Sequence, residues 1–124
     1  MLNQQTTDDH DRNLSAEDLA ALREHLHEQR LFRQEQLEQL SASATTRAAT
    51  SAERRAASQT EVRVTLTATA RMVLAEVEAA LARMDQDTYG TCRLCRGPVA
   101  LARLMIVPQV RHCAHCQQAL EAGR

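Results

Sequence analysis

The four cysteines constrain this chain more than any other feature, because they form two pairs with a spacing typical of a metal site. Cys92 pairs with Cys95 and Cys113 with Cys116, and the seventeen residues 96–112 separate the two pairs. A divalent ion bound by thiolates needs four sulfurs at the corners of a tetrahedron, and a gap of two residues lets one tight turn present two sulfurs to the same ion. The spacing therefore predicts a four-cysteine zinc finger that holds one structural Zn²⁺.

A site of this kind is closed, since four sulfurs leave no coordination position for water or substrate. We therefore expect a protein that is not an enzyme. His112 and His115 flank the second cysteine pair, but we expect neither to bind the ion, because the sulfurs already fill the site. Four arginines near the cysteines either offset the negative charge of the thiolates or are simply solvated: Arg93, Arg96, Arg103 and Arg111.

Composition predicts long helices outside the metal site. The 124 residues include one Phe, one Tyr and no Trp, so a large core is not expected, because aromatic side chains bury the most area. Apolar residues make up 44% and charged residues 25% of the chain, which is typical of helices that bury a narrow seam. The net charge of -1 gives no general attraction to a polyanion. No signal peptide or membrane span is evident, so we expect a cytoplasmic protein.

The first helix is predicted to follow a disordered acidic tail at residues 1–13. Ser15 to Asp18 resemble a capping box, in which a hydroxyl accepts from a free backbone N–H group and acids occupy the first turn. The predicted helix continues to about Ala44. Leucines that recur mainly at three- and four-residue intervals give it one apolar face: Leu19, Leu22, Leu26, Leu37 and Leu40.

A second helix follows a segment that has no large apolar side chain. Residues 41–60 also lack Gly and Pro, which favours a short turn between two helices over a long loop. The second helix is predicted to end near Asp85. Its apolar residues follow each other in steps of three or four, as in a coiled coil: Val62, Leu66, Ala70, Val73, Val77, Ala80 and Met84.

The two seams predict a mostly α fold, in which residues 14–86 form a long antiparallel coiled-coil hairpin with its tip near 45–55. Pairing Leu19 with Leu81 and Leu37 with Val62 places the turn near Thr50. Residues 87–124 are then expected to form the four-cysteine zinc finger and a short C-terminal helix. The segment between the cysteine pairs is expected to form a loop or short hairpin with a small core of its own: Val99, Leu101, Leu104, Ile106 and Val107.

The cysteine-rich segment resembles the DksA/TraR zinc-finger family of bacterial transcription regulators. In that family a glycine usually follows the second cysteine directly, whereas Arg96 has that place here and Gly97 comes next. The hairpin is also the family's architecture, so the resemblance covers about residues 15–120. It depends on the cysteine spacing and on residues at matching offsets: Tyr89, Gly90, Gly97, Val99, Arg103, Leu104, Pro108 and Gln117.

The resemblance implies a regulator that binds RNA polymerase directly, without sequence-specific DNA binding and without a membrane. Members insert the coiled-coil tip into the secondary channel of the polymerase and change the stability of promoter complexes. We expect a monomer. The best-studied type has an acidic Asp-x-x-Asp-x-Ala tip, which would fall on Ala49, Ala52 and Arg54, but this chain has no Asp in 41–60. The tip residues expected to contact the partner are Ala49, Ala52, Glu53, Arg54 and Arg55.

Three other functions stay open at this point. Residues 87–124 carry five Arg against Asp87 and Glu121 and could contact nucleic-acid phosphates, although the segment has no aromatic stacking surface and no basic recognition helix. A thiol-redox enzyme could use CxxC pairs, but two pairs at this spacing fit a metal better. Finally, the coiled coil could serve only as a dimerisation or adaptor element.

Overall fold

The computed structural model describes residues 14–46 and 53–123, with side chains for 14–42 and 59–123. In these ranges the chain forms four helices: α1 (Ala16–Thr46), α2 (Glu53–Asp85), α3 (Leu101–Ile106) and α4 (Ala114–Ala122). The extended pairing found there is a single antiparallel bridge between Thr91 and Pro98. The predicted mostly α fold is confirmed.

Helix α1 begins at the predicted capping box. The backbone N–H of Asp18 donates to Ser15 Oγ at 3.0 Å, and the backbone N–H of Ser15 donates to Asp18 Oδ2 at 3.3 Å. Each side chain thus satisfies a backbone donor that the helix leaves free. Helix α1 continues for 31 residues, which corresponds to a length of about 46 Å.

Helices α1 and α2 pack as an antiparallel hairpin, as predicted. Arg23 near the start of α1 forms an ion pair with Asp85, the last residue of α2, with 3.3 Å between Nη1 and Oδ1. Both side chains are largely exposed, so this pair adds little stability. The ion pair shows that the start of α1 lies beside the end of α2.

The buried part of the hairpin seam lies at the end next to the cysteine-rich segment, here called the hairpin base. Buried side chains of α1 and α2 meet there: Leu22, Leu26, Val77, Ala80, Leu81 and Met84. Farther along, Phe32 at 59% and Val62 at 56% are exposed, and Leu37 and Leu40 are half-buried. The hairpin is therefore held mainly at its base, since stabilisation by apolar side chains follows the area removed from water.

The predicted pairing of the seam is matched by burial in part. Leu22, Leu26 and Val77, which the prediction paired across the seam, are buried in one cluster with Leu81. Leu19 and Val62 were also predicted to lie in the seam, but they are 36% and 56% exposed. The helix bounds agree with a turn near residue 50, since α1 ends at Thr46 and α2 begins at Glu53. The full register stays a prediction.

The cysteine-rich segment, residues 87–123, is here called the knob, and it has no core of its own. Val99 and Leu104 are buried in the same cluster as the hairpin base. The prediction of a separate core was wrong, and two of its predicted members are not buried: Ile106 is 78% exposed and Val107 is 38% exposed. The segment between the cysteine pairs contains helix α3, whose positions 101 and 104 share the buried face while position 106 lies on another.

Several predictions concern residues outside the described part of the chain. These are the acidic tail at 1–13 and the tip positions Ala49 and Ala52. The division into 1–13, 14–86 and 87–124 stays a prediction. Among the described residues, no helix combines the length and apolarity needed to cross a membrane.

Candidate metal centre

The structure brings the four predicted cysteine sulfurs together. All four Sγ atoms lie within 4.8 Å of one another, and the Sγ atoms of Cys95 and Cys113 are 3.8 Å apart. Four sulfurs at about 2.3 Å from one Zn²⁺ in a tetrahedron would be separated by about 3.8 Å. The arrangement therefore fits a single tetrahedral ion.

The first pair is presented by a tight turn between the bridged residues. The backbone N–H of Arg96 donates to Cys92 O at 3.0 Å, and the backbone N–H of Cys92 donates to Gly97 O at 2.8 Å. The Gly97 N–H also points to Cys95 Sγ at 3.4 Å. Arg96 closes the turn with a left-handed φ of 65°. The family resemblance implies a glycine at this position, and a positive φ is a conformation that glycine adopts without a steric cost.

The second pair is presented by the start of α4. Cys113 is the N-cap residue, and its sulfur accepts from the backbone N–H of Cys116 at 3.4 Å. The first turn of α4 therefore positions the Cys113 sulfur beside Cys116.

Without a cation, the cluster lowers the pKa of one cysteine and raises the pKa of another. Burial opposes ionisation of Cys92, but backbone N–H groups from Cys95, Cys113 and Leu94 lower its pKa to about 6. The hydrogen bond with Cys113, together with burial, raises the pKa of Cys116 to about 12. A divalent ion removes this conflict, because it allows four thiolates to share one small volume. The donor set thus fits one structural Zn²⁺.

Neither histidine near the cysteines joins the group of possible ligands. Within the described residues, the metal-binding cluster consists of the four cysteines without His112 or His115. This agrees with the prediction for a closed site.

The predicted arginines take different positions around the sulfurs. Arg93 and Arg96 line a cavity of about 170 Å³ together with Cys92. Arg103 instead donates from Nε to His112 O at 3.1 Å, which ties α3 to the chain before the second pair. The same cavity is lined by Arg83 of α2, which sequence reasoning did not single out. Its only signal in the sequence is a charge directly beside the seam position Met84.

Neutral contacts hold the knob together and join it to the hairpin. The hydroxyl of Tyr89 donates to Pro108 O at 2.8 Å, and burial raises the pKa of Tyr89 to about 12. A Cβ atom added to Gly90 would lie 3.3 Å from Leu14 Cδ1. Leu14 lies just before α1, so the start of the hairpin contacts the turn that leads to Cys92.

Comparison with known proteins identifies this part of the chain. Residues 87–122 match the prokaryotic dksA/traR C4-type zinc finger. Over these residues the chain is similar to the dksA/traR zinc finger. The resemblance stated from the sequence is thereby confirmed, and so is the inference that the chain has a site for structural Zn²⁺.

Solved structures of dksA/traR proteins extend the likeness to the fold. The structure of transcription factor DksA2 from Pseudomonas aeruginosa has 20% sequence identity, covers 87% of this chain and 86% of its own, and superposes with a TM-score of 0.77. The RNA polymerase binding protein and transcriptional regulator Dks from Chlamydia trachomatis has 22% identity, coverages of 90% and 95%, and a TM-score of 0.50. At these identities the likeness shows a shared fold.

A curated relative matches over a shorter stretch. An uncharacterized protein of Aquifex aeolicus is 35% identical over 48 residues, which is 39% of this chain. The match spans about a third of that relative, 33% of its length.

The predicted tip is not among the sites that the structure describes. Ala49 and Ala52 lie outside the described residues, as do the side chains of Glu53, Arg54 and Arg55. Their role therefore stays a prediction.

Proposed function

We propose that this protein is a transcription regulator that binds RNA polymerase directly and is not an enzyme. The observation that carries the proposal is the combination of a dksA/traR zinc finger at residues 87–122 with the fold of DksA2 over 87% of the chain. A relative with this fold, the Chlamydia protein, is by its name an RNA polymerase binding protein. The closed four-sulfur site supports a structural role for the metal, with Cys92, Cys95, Cys113 and Cys116 as its ligands.

In the proposed mechanism the hairpin enters the polymerase, and the knob holds the two helices together at the hairpin base. Helix α1 extends about 46 Å, which supports a hairpin that reaches into the polymerase while the knob stays at its surface. The tip would then act inside the secondary channel and change the stability of promoter complexes. We propose a monomer that acts in the bacterial cytoplasm, where its partner is found.

The tip composition argues for a contact other than the acidic one of the best-studied relatives. Residues 41–60 contain no Asp, and Glu53 is followed by Arg54 and Arg55. Arginine cannot bind a catalytic Mg²⁺ as a carboxylate does, but it forms bidentate contacts with carboxylates and phosphates. We therefore propose that this tip acts by contacting acidic groups or nucleotide phosphates in the channel.

Direct DNA binding is the weaker alternative. Residues 87–124 have five Arg against Asp87 and Glu121, a surplus of +3. A zinc ion with four thiolates carries about -2, so a surplus of only about +1 is left for contacts with phosphates. This is too small for binding that depends on charge.

The experiment is capture of purified bacterial RNA polymerase by the tagged full chain, with zinc present. We expect the intact protein to retain polymerase and Cys92→Ser to retain less, because the support at the hairpin base is lost. The double variant Arg54→Ala/Arg55→Ala should still bind but should change promoter-complex lifetime less than the intact protein. Absence of polymerase with the intact chain would overturn the proposal, and a clear mobility shift of DNA in that case would favour the alternative.

A further inference from the structure

Arg83 is a buried cation at the junction of the hairpin and the knob. Only 6% of the residue is exposed, although arginine is rarely buried without a partner. Its Nη2 atom donates to Gln109 O and Val110 O, each at 3.4 Å. These long bonds to neutral carbonyls connect α2 to the chain that precedes Cys113.

No carboxylate forms an ion pair with Arg83 in the part of the chain that the structure describes. The ion pair found there is that of Arg23 with Asp85. Burial lowers the pKa of Arg83 most, the charge of Arg93 lowers it further, Tyr89 acts in the opposite direction, and Arg111 lowers it again. A buried cation among other cations is unfavourable unless an anionic group lies near it.

The four-cysteine centre is an anionic group that shares a cavity with Arg83. Arg83 and Cys92 line the same cavity, with Arg93 and Arg96 on its wall. Four thiolates around one Zn²⁺ have a charge of about -2. The three arginines and the exposed Asp87 that also lines the cavity add up to +2, so the cavity becomes neutral when the metal is bound.

We propose that Arg83 is the buried counter-cation of the zinc-thiolate centre, and that it makes the attachment of the knob to the hairpin depend on bound zinc. The inference rests on zinc occupancy of the four cysteines and does not require polymerase binding. With zinc bound, Arg83 is stabilised by the anionic centre and holds the 109–110 segment. Without zinc, Arg83, Arg93 and Arg111 repel one another and this attachment weakens.

The charge of Arg83 can be separated from its hydrogen bonds by paired substitutions in the full chain. Arg83→Met removes the charge, and Arg83→Lys keeps it. Arg71→Met is the matched control, because Arg71 is exposed on the same helix. Leu104→Ala is a second control that weakens the shared core without changing charge. Each variant is measured for apparent zinc affinity by chelator competition, and for the energy of the sulfur-to-metal charge-transfer band after loading with Co²⁺.

We expect Arg83→Met to lower apparent zinc affinity by about 10- to 100-fold, the range found for groups that support metal ligands. Arg83→Lys should recover most of this loss, and Arg71→Met should show none. Removing a cation beside the thiolates raises the energy of the sulfur electrons, so the Co²⁺ band of Arg83→Met should move to longer wavelength. Leu104→Ala should weaken binding without moving the band.

Two results would overturn the proposal. One is an affinity of Arg83→Met equal to that of Arg71→Met. The other is an unshifted band in Arg83→Met together with equal losses in Arg83→Lys, which would make Arg83 a hydrogen-bonding residue only. If Arg83→Met binds no cobalt, Arg83→Gln replaces it, because glutamine is polar and uncharged. The same two results, measured on Arg83→Gln, would then overturn the proposal.

Discussion

Replacing Arg96 by glycine should leave the knob more stable than replacing it by alanine, because both changes remove the same charge and only glycine relieves the backbone. Arg96 has a φ of 65° in the turn that presents Cys92 and Cys95. The left-handed conformation costs a residue with a Cβ atom about 1–2 kcal/mol. Glycine avoids that cost but loses more backbone freedom on folding, which offsets about 0.5–1 kcal/mol. The expected net gain is about 0.5–1 kcal/mol.

Zinc affinity is the suitable measurement, because metal binding and folding of such a small unit are coupled. The expected gain corresponds to apparent zinc binding about two- to fivefold tighter for Arg96→Gly than for Arg96→Ala. Chelator competition on the full chain resolves a change of this size.

Two control variants separate the backbone effect from the loss of charge. Arg96→Ala removes the same charge but keeps the left-handed strain, so Arg96→Gly should bind zinc more tightly than Arg96→Ala. Arg93→Gly changes a neighbouring exposed turn residue whose φ is not positive, and it should weaken binding. If Arg96→Gly is no tighter than Arg96→Ala, the strain at this position does not limit the stability of the knob.

Three further outcomes follow from the packing of the knob. Leu104→Ala should reduce the free energy of unfolding by about 2–5 kcal/mol, whereas Ile106→Ala on the exposed side of α3 should change it by less than about 0.5 kcal/mol in denaturant titrations. Tyr89 is the one tyrosine, so the tyrosinate absorbance should titrate near its raised pKa of about 12. The folded state keeps the phenol proton to a higher pH than the unfolded state does. The contribution of Tyr89 to the free energy of unfolding is therefore present below about pH 10 and is lost as the pH rises to about 12. A midpoint near pH 10 in the folded protein would contradict the burial of that hydroxyl. Gly90→Ala should lower the melting temperature, because φ is 84° and the new Cβ atom would crowd Leu14, and an unchanged melting temperature would show that the turn adapts.

Local features of the sequence were sufficient where the physics is local. The cysteine spacing predicts a four-sulfur site because a two-residue gap allows one turn to present two ligands, and the sulfurs lie within 4.8 Å of one another. The capping box at Ser15 and Asp18 predicts the start of α1 because both hydrogen bonds join residues three apart. The helical periodicity predicts two long helices, and the absence of an apolar anchor in 41–60 predicts a turn between them.

The tertiary structure decided what depends on contacts between distant residues. The contact between the two ends of the hairpin is one such property, because it joins Arg23 to Asp85 across 62 residues. The exposure of Val62 is another, since periodicity alone predicts that it lies in the seam. The position of Arg83 is the third. In the sequence Arg83 is one charge on a helix. In the fold it is buried, it donates to carbonyl groups that lie 26 and 27 residues later in the chain, and it lines one cavity with Cys92. The sequence alone therefore determined the metal site and the helices, because their interactions are short-range, and only the folded chain determined how the two parts are joined.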